Sequence, residues 1–542
     1  MWIVLARRLT VVAIVWMMSS AIANAATLEL VSSAPANDAV DVSRVDPLNL
    51  QFSTALSPYS VRADTITLRN ATGVQKVGLS VTGGSVTVRP LTPLLPWTTY
   101  TLNAQSLVGS AGEQLAQPVA IVFKTRDAAW QPPQLIDRLT TEQWNPVTAV
   151  NSKGIRFVAW QQSNGAGDDI WAVRHVPGAT TAETPVLIAS LGTEYASEVR
   201  VFVDENGNAF VTWQLDKSEV WLPRRLWASR FTAGSGAGSG WGVPQAIDGY
   251  AKRSGTNLHL VFDHAGNAVA LWQEWDCCGP HSLQSIVANR YTQRTGWSKP
   301  VHLDNAPGFL AGDTDLQIDD DGNAYAAWAM VENLYNPIAD LRVSHFDTTS
   351  GWSAAHLVTS EYVFDSSIDP TLAVNPRGEA LLMWAYDNGL KYAHADELAR
   401  WGTPIGIDAT HVAPSSMVYL DSGIAFAAFV DGVKMFRPDL GYWDWKHPLM
   451  NQQNTSTAPR IVADKSGNAL VAWTQTSGGI DRIFAKRYRA GRGWLNPAPI
   501  DVGNTLGAGL EELFLDPTGS AAAAWWQRND QGTLDIKAAA FK

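Results

Sequence analysis

Asp204-Glu205-Asn206-Gly207-Asn208-Ala209-Phe210-Val211-Thr212-Trp213 joins a turn to a strand within ten residues. Gly and Asn tolerate positive φ, and an Asp side chain can bond its own backbone, so residues 204–208 read as a hairpin turn. Ala209, Val211 and Trp213 then share one face by two-residue alternation. The pattern, intact or eroded, returns with a fixed Gly-to-aromatic spacing: Gly154/Trp160, Gly207/Trp213, Gly266/Trp272, Gly322/Trp328, Gly378/Trp384, Gly423/Phe429, Gly467/Trp473 and Gly519/Trp525. The mean period from Gly154 to Gly519 is about 52 residues, and a constant period of this size means a repeat architecture.

Each unit reads as four strands, in the second unit 199–203, 209–214, 226–231 and 243–247. The second strand is often apolar on both faces, as at Val269 and Leu271 or Leu470 and Ala472, so it lies between two layers. That is the pattern of a β-propeller blade. The eighth unit stops at its third strand, 535–541. A spare fourth strand precedes the first unit, where Trp130-x-x-Pro133-x-x-Ile136-Asp137 matches Trp241-x-x-Pro244-x-x-Ile247-Asp248. The expectation is an all-β chain with an eight-bladed propeller closed by its N-terminal strand. The sixth unit is eroded, with Asp421 one residue late and Phe429 in place of Trp, and without it the count is seven.

The chain has 542 residues, 46% hydrophobic and 17% charged, which is globular. Residues 1–25 read as a secretory signal: Arg7-Arg8, an apolar run over 9–18, and the cleavage site Ala23-Asn24-Ala25. The net charge is −11, and without Arg7 and Arg8 it becomes −13 (38 basic against 51 acidic residues). This balance, with no Lys/Arg cluster, argues against nucleic acid or an anionic membrane as the main partner, and the apolar run is too short for a permanent span, so no membrane insertion is expected after cleavage. The expected location is periplasmic or extracellular. The two cysteines are adjacent, Cys277-Cys278, and stand either as a strained vicinal disulfide or as two thiols.

Residues 27–126 differ from the repeat. They are Thr- and Val-rich, with short alternating runs (Leu48-Asn49-Leu50-Gln51-Phe52; Ser85-Val86-Thr87-Val88) between Gly, Pro and Asn-Asp turns, the pattern of a β-sandwich. Landmarks run in order through Ala34-Pro35-Ala36-Asn37-Asp38-Ala39-Val40, Leu50-Gln51-Phe52-Ser53, Pro96-Trp97-Thr98-Thr99-Tyr100, Gly109-Ser110-Ala111-Gly112 and Phe123-Lys124-Thr125. With these the segment resembles the bacterial Ig-like domain first named in surface-layer proteins (SbsA-like). The resemblance implies a spacer on an exported protein. The domains are then a signal (1–25), an Ig-like sandwich (27–126) and a propeller (127–542).

Of the 24 tryptophans, seven fill the Gly-plus-six position and seven more open the fourth strand: Trp130, Trp241, Trp297, Trp352, Trp401, Trp443 and Trp494. Recurrence at equivalent positions marks them as packing wedges. Asp319-Asp320-Asp321-Gly322-Asn323 has the beginning of a calcium loop but lacks the downstream carboxylate, so it reads as a turn. The motif also differs from the sialidase Asp-box, whose aromatic follows Gly more closely. The scattered histidines show no paired-ligand spacing, no nucleophile elbow is present, and Gly234–Gly240 precedes no helix, so no metal, cofactor or catalytic residue is assigned.

Features outside the repeat carry the functional expectation. Long loops between strands two and three of units two to four add Trp221, Trp275, Asp276, His281 and Tyr335, and inter-unit loops on the same face add Trp144, Tyr195 and Tyr250. Aromatics beside carboxylates suit stacking on sugar rings or gripping a peptide. The expected function is non-catalytic binding of a glycan or protein of the envelope or surroundings. The alternatives are a glycan-active hydrolase or lyase on the same scaffold, marked by convergent acids of raised pKa in a deep pocket, and an assembly scaffold, marked by a broad apolar patch.

Overall fold

The structure is a computed structural model that describes residues 27–138, 143–151, 153–177, 183–216, 223–234, 240–249, 253–276, 284–304, 309–333, 336–362, 368–386, 389–409, 412–450 and 456–542. Residues 1–25, where a signal is expected, and Cys277-Cys278 lie outside them. The described residues are strands joined by turns, with one 3-10 turn at Pro58–Ser60. No helix is long and apolar enough to cross a membrane. Two compact units result: Met1–Leu91 with Thr99–Phe123, and Thr92–Thr98 with Lys124–Lys542.

The first unit is two antiparallel sheets. One orders Leu30–Ala34, Leu48–Phe52, Ser85–Pro90 and Val77–Thr82. The other orders Ala39–Val42, Val119–Thr125, Thr99–Ala104, Ile66–Asn70 and Gly73–Gln75. Alternation places Leu48, Leu50 and Phe52 inside with Val86, Val88, Leu68 and Leu102, all essentially buried, while Asn49 and Gln51 face water.

The second unit contains eight successive sheets among the described residues. In each complete one, chain order equals spatial order, as in Tyr195–Val203, Ala209–Asp216, Arg225–Phe231 and Gln245–Ala246. The last sheet is ordered differently. Gln134–Arg138 pairs with Leu534–Phe541, which is followed by Ala521–Arg528 and Ala508–Leu515. A further bridge joins Trp130 to Phe541.

Two details depart from simple alternation. The first strand of the second unit begins four residues earlier than its apolar pattern, at Tyr195, because a bulge between Ser197 and Arg200 lets it continue. The fourth strand is short or split. Gly296–Trp297 and Val301–His302 both pair with Gln284–Thr292, with Pro300, which has no N–H to donate, between them.

The motif acts as expected of a turn. Asp204 Oδ1 accepts from Asn206 N (2.8 Å) and Asn208 N (2.7 Å), its Oδ2 accepts from Asn208 Nδ2 (2.6 Å), and Gly207 takes φ +81°. Asp319 is engaged in the same way by Asp321 N, Asn323 N and Asn323 Nδ2, so its oxygens serve the turn. All seven Gly-plus-six tryptophans and Phe429 are buried. Where Gln follows two residues later it accepts the indole N–H, at 2.8 Å for Trp473 to Gln475 and 3.3 Å for Trp525 to Gln527.

Candidate functional site

The first strand of each sheet has one position, seven residues before the motif Gly, that breaks the apolar scaffold. In chain order it holds Val147, Arg200, His259, Asp315, Thr371, Ser416, Arg460 and Glu512. The following residue stays apolar and buried, as at Val201, Leu260, Leu316, Leu372, Ile461 and Leu513. Arg200, His259, Asp315, Thr371, Ser416 and Arg460 line one cavity of about 870 Å³. Glu512 lines an adjoining space of about 580 Å³, which shares Phe202, Leu260, Val261 and Gln317 with the first. Six sheets therefore contribute one equivalent position each to a single cavity, called the lumen below.

Two positions earlier stands a hydrogen-bonded belt. Asn257 N and Thr256 Oγ1 donate to Glu198 (2.7 and 2.5 Å), Asn257 Nδ2 donates to Asp313 Oδ1, and Asp313 N donates to Asp369 Oδ1 (2.9 Å). Glu198 and Asn257 sit in the bulges with φ +49° and +53°, which turns their side chains along the belt. Arg200 Nη2 donates to Asn257 Oδ1 at 3.3 Å, tying belt to ring.

Burial controls the charges. It pushes the Asp315 carboxyl up, although Leu316 N and Leu372 N (each 2.7 Å) and Gln317 Nε2 (3.2 Å) favour the anion. It pushes His259 down, with Arg200 adding to the effect and the Asp315, Asp313 and Glu198 carboxylates opposing it. His259 Nε2 is buried and has no hydrogen-bond partner among the described residues. Glu511 and Glu512 are each pushed up to about 7 by burial, against the attraction of Arg460, and Glu512 raises Glu511 further. The two adjoining cavities thus gather two guanidinium groups, an imidazole whose pKa burial lowers and carboxyls whose pKa burial raises. Among the described residues no group of three His, Cys, Asp or Glu is arranged to hold a metal ion.

Residues 24–125 match the bacterial Ig-like domain family. The match is to that domain in general and does not single out the surface-layer subfamily. No curated protein matches the chain. Solved structures similar to it include a protein of unknown function from Dyadobacter fermentans (9% identity, 64% of this chain and 95% of that one, TM-score 0.37). The β-propeller domain of the Trilobed protease from Pyrococcus furiosus is another (7%, 74% and 94%, 0.39), as is the polysaccharide lyase Uly1 (11%, 73% and 89%, 0.40). These neighbours include propeller proteins.

Of the loop residues expected to bind, Tyr195 is half exposed at the start of its strand and Trp275 is partly buried, with its indole N–H enclosed. Trp221, Tyr250, His281 and Tyr335 lie outside the described residues, as do the side chains of Trp144 and Asp276. The lumen ring was missed because attention to Gly and the aromatic leads downstream, whereas the variable position lies upstream. Stacking the eight units on Gly would have exposed it: seven polar residues where a propeller core tolerates apolar ones.

Proposed function

We propose that the second unit is a closed eight-bladed propeller and that the chain is an exported, non-catalytic binding protein acting in the periplasm or outside the cell. Its ligand, a glycan or protein segment of the envelope or surroundings, enters the lumen. The observation that carries this reading is the ring of Arg200, His259, Asp315, Thr371, Ser416 and Arg460 around one cavity. Mixed donors and acceptors from six sheets suit a hydroxyl-rich or peptide ligand better than a single charged group.

The test is to incubate residues 26–542 with a panel of bacterial and host polysaccharides and to score both retention and released products. Retention without products, weakened tenfold or more in Arg460→Ala because a charge-assisted contact contributes ~1.5–3 kcal/mol, supports the reading. Retention unaffected by Arg200→Ala and Arg460→Ala together would sink the lumen as the site. A second reading, a glycan-active hydrolase or lyase, draws on Glu511 and Glu512, whose pKa of about 7 suits proton transfer. Released products that disappear in Glu512→Gln would replace the first reading with the second.

A further inference from the structure

Three residues after the motif Gly, four of the eight units carry an aromatic side chain that wedges into the next sheet. Phe157, Phe210, Tyr325 and Phe426 each meet the tryptophan that opens the next sheet's fourth strand, with ring centroids at 5.9, 5.3, 6.1 and 6.3 Å from Trp241, Trp297, Trp401 and Trp494. The fifth unit, with Leu381, is one of four that lack this ring, beside Val269, Leu470 and Ala522. The tryptophan opposite, Trp443, turns to Tyr392 and Phe436 instead (6.1 and 5.6 Å). A cleft of about 560 Å³ is left between the two sheets, within the range of roughly 300–1,000 Å³ usual for small-molecule sites.

The walls of this cleft are aromatic and its polar groups converge. Tyr392, Tyr419 and Phe436 line it together with His394, whose Nε2 lies 3.3 Å from the Tyr419 hydroxyl. Arg377 and Glu379 stand at one side, with Glu379 held by Asn375 Nδ2 at 2.7 Å. Asp421 supplies the second, independent observation. In the eroded sixth unit Leu420 takes the turn position, since Leu420 N donates to Ile424 O and Gly423 N to Leu420 O. Asp421, displaced by one residue, is released from the capping role that Asp204 performs. It lines the cleft, and its Oδ1 is buried without a hydrogen-bond partner among the described residues. A buried carboxylate oxygen calls for a donor, because leaving it unmet is costly.

We infer that this cleft is a second binding site, separate from the lumen, for one neutral sugar residue of a glycan. Asp421 and Glu379 accept from its hydroxyls, Arg377 and His394 complete the polar contacts, and the aromatic walls take its apolar face. A sugar is favoured over a cation because Arg377 offsets one of the two acids and aromatics make up the walls.

The test uses saturation-transfer NMR on the full chain with the methyl glycosides of glucose, galactose, mannose, fucose and N-acetylglucosamine as probes. At least one is expected to receive saturation. Leu381→Phe introduces the wedge that four other units carry and fills the cleft, so it should reduce that signal at least tenfold while leaving Tm within a few degrees. Asp421→Ala should do the same if Leu381→Phe fails to fold. Arg460→Ala, in the lumen, should leave the signal intact, which separates this site from the reading above. No signal with any glycoside, a signal that survives both cleft variants, or one removed by Arg460→Ala alone overturns the inference.

Discussion

Asn151 Nδ2 donates to the main-chain carbonyl of Asp204 at 2.9 Å, so the turn of the first unit holds the turn of the second. The same side chain closes its own turn, accepting from Lys153 N and Ile155 N at 3.0 Å each. It is 2% exposed, so water cannot replace these partners.

Asn151→Ala should therefore destabilise the second unit by about 2–3 kcal/mol, the range for stranding buried backbone groups. Asn151→Asp keeps the acceptor and loses the donor, and should recover about half. An Asn151→Asp variant as stable as the parent in urea unfolding would show that the link to Asp204 contributes nothing.

Glu512 gives a pH test. A carboxyl whose pKa is higher folded (about 7) than unfolded (4.5) takes up protons on folding, so its contribution to stability falls as pH rises through that window. Glu512→Gln escapes this. Its Tm should match the parent at pH 4.5 and exceed it at pH 8. A variant less stable than the parent at pH 8 would mean that the anion is stabilised in the lumen by groups such as Arg460.

Asp248 and Asp304 end the fourth strand in consecutive units yet should respond differently. Asp248 accepts from Leu226 N (3.0 Å) and from Arg225 Nε and Nη2 (2.8 and 2.6 Å). Asp304 accepts from Ile286 N (3.1 Å), its Oδ2 is buried without a partner, and burial holds its pKa up. Asp248→Asn should cost about 2–3 kcal/mol, since it leaves Arg225 without its counter-charge. Asp304→Asn should cost about 1 kcal/mol or less, since it removes a charge that burial disfavours. Similar denaturation midpoints for the two variants would refute this distinction.

The repeat was legible because its requirements are local and recur. A turn needs Gly207 at positive φ, Asp204 must satisfy two backbone N–H groups, and Trp213 must fill the space between layers. The sandwich was legible for the same reason, in the alternation of Leu48, Leu50 and Phe52. The lumen was harder to see. Arg200 and Glu512 are far apart in sequence, and bulges such as that between Ser197 and Arg200 interrupt the alternation that would show which way each points. The cleft was hidden for another reason: Leu381 looks like any buried core residue, and the displacement of Asp421 from its turn shows its effect only once the sheets are assembled.

The pairing of Gln134–Arg138 with Leu534–Phe541 also fixes an order of events. Sheets built from consecutive strands can form as soon as each hairpin is made. Residues 134–138 must instead wait, with their backbone groups bonded only to water, until the whole array between them and residue 534 has been synthesised. The last sheet is thus the slowest to assemble, because its loop-closure entropy is the largest in the unit. Until then an unpaired edge is open to strands of other chains, which makes this the step at which refolding yield should depend most steeply on protein concentration.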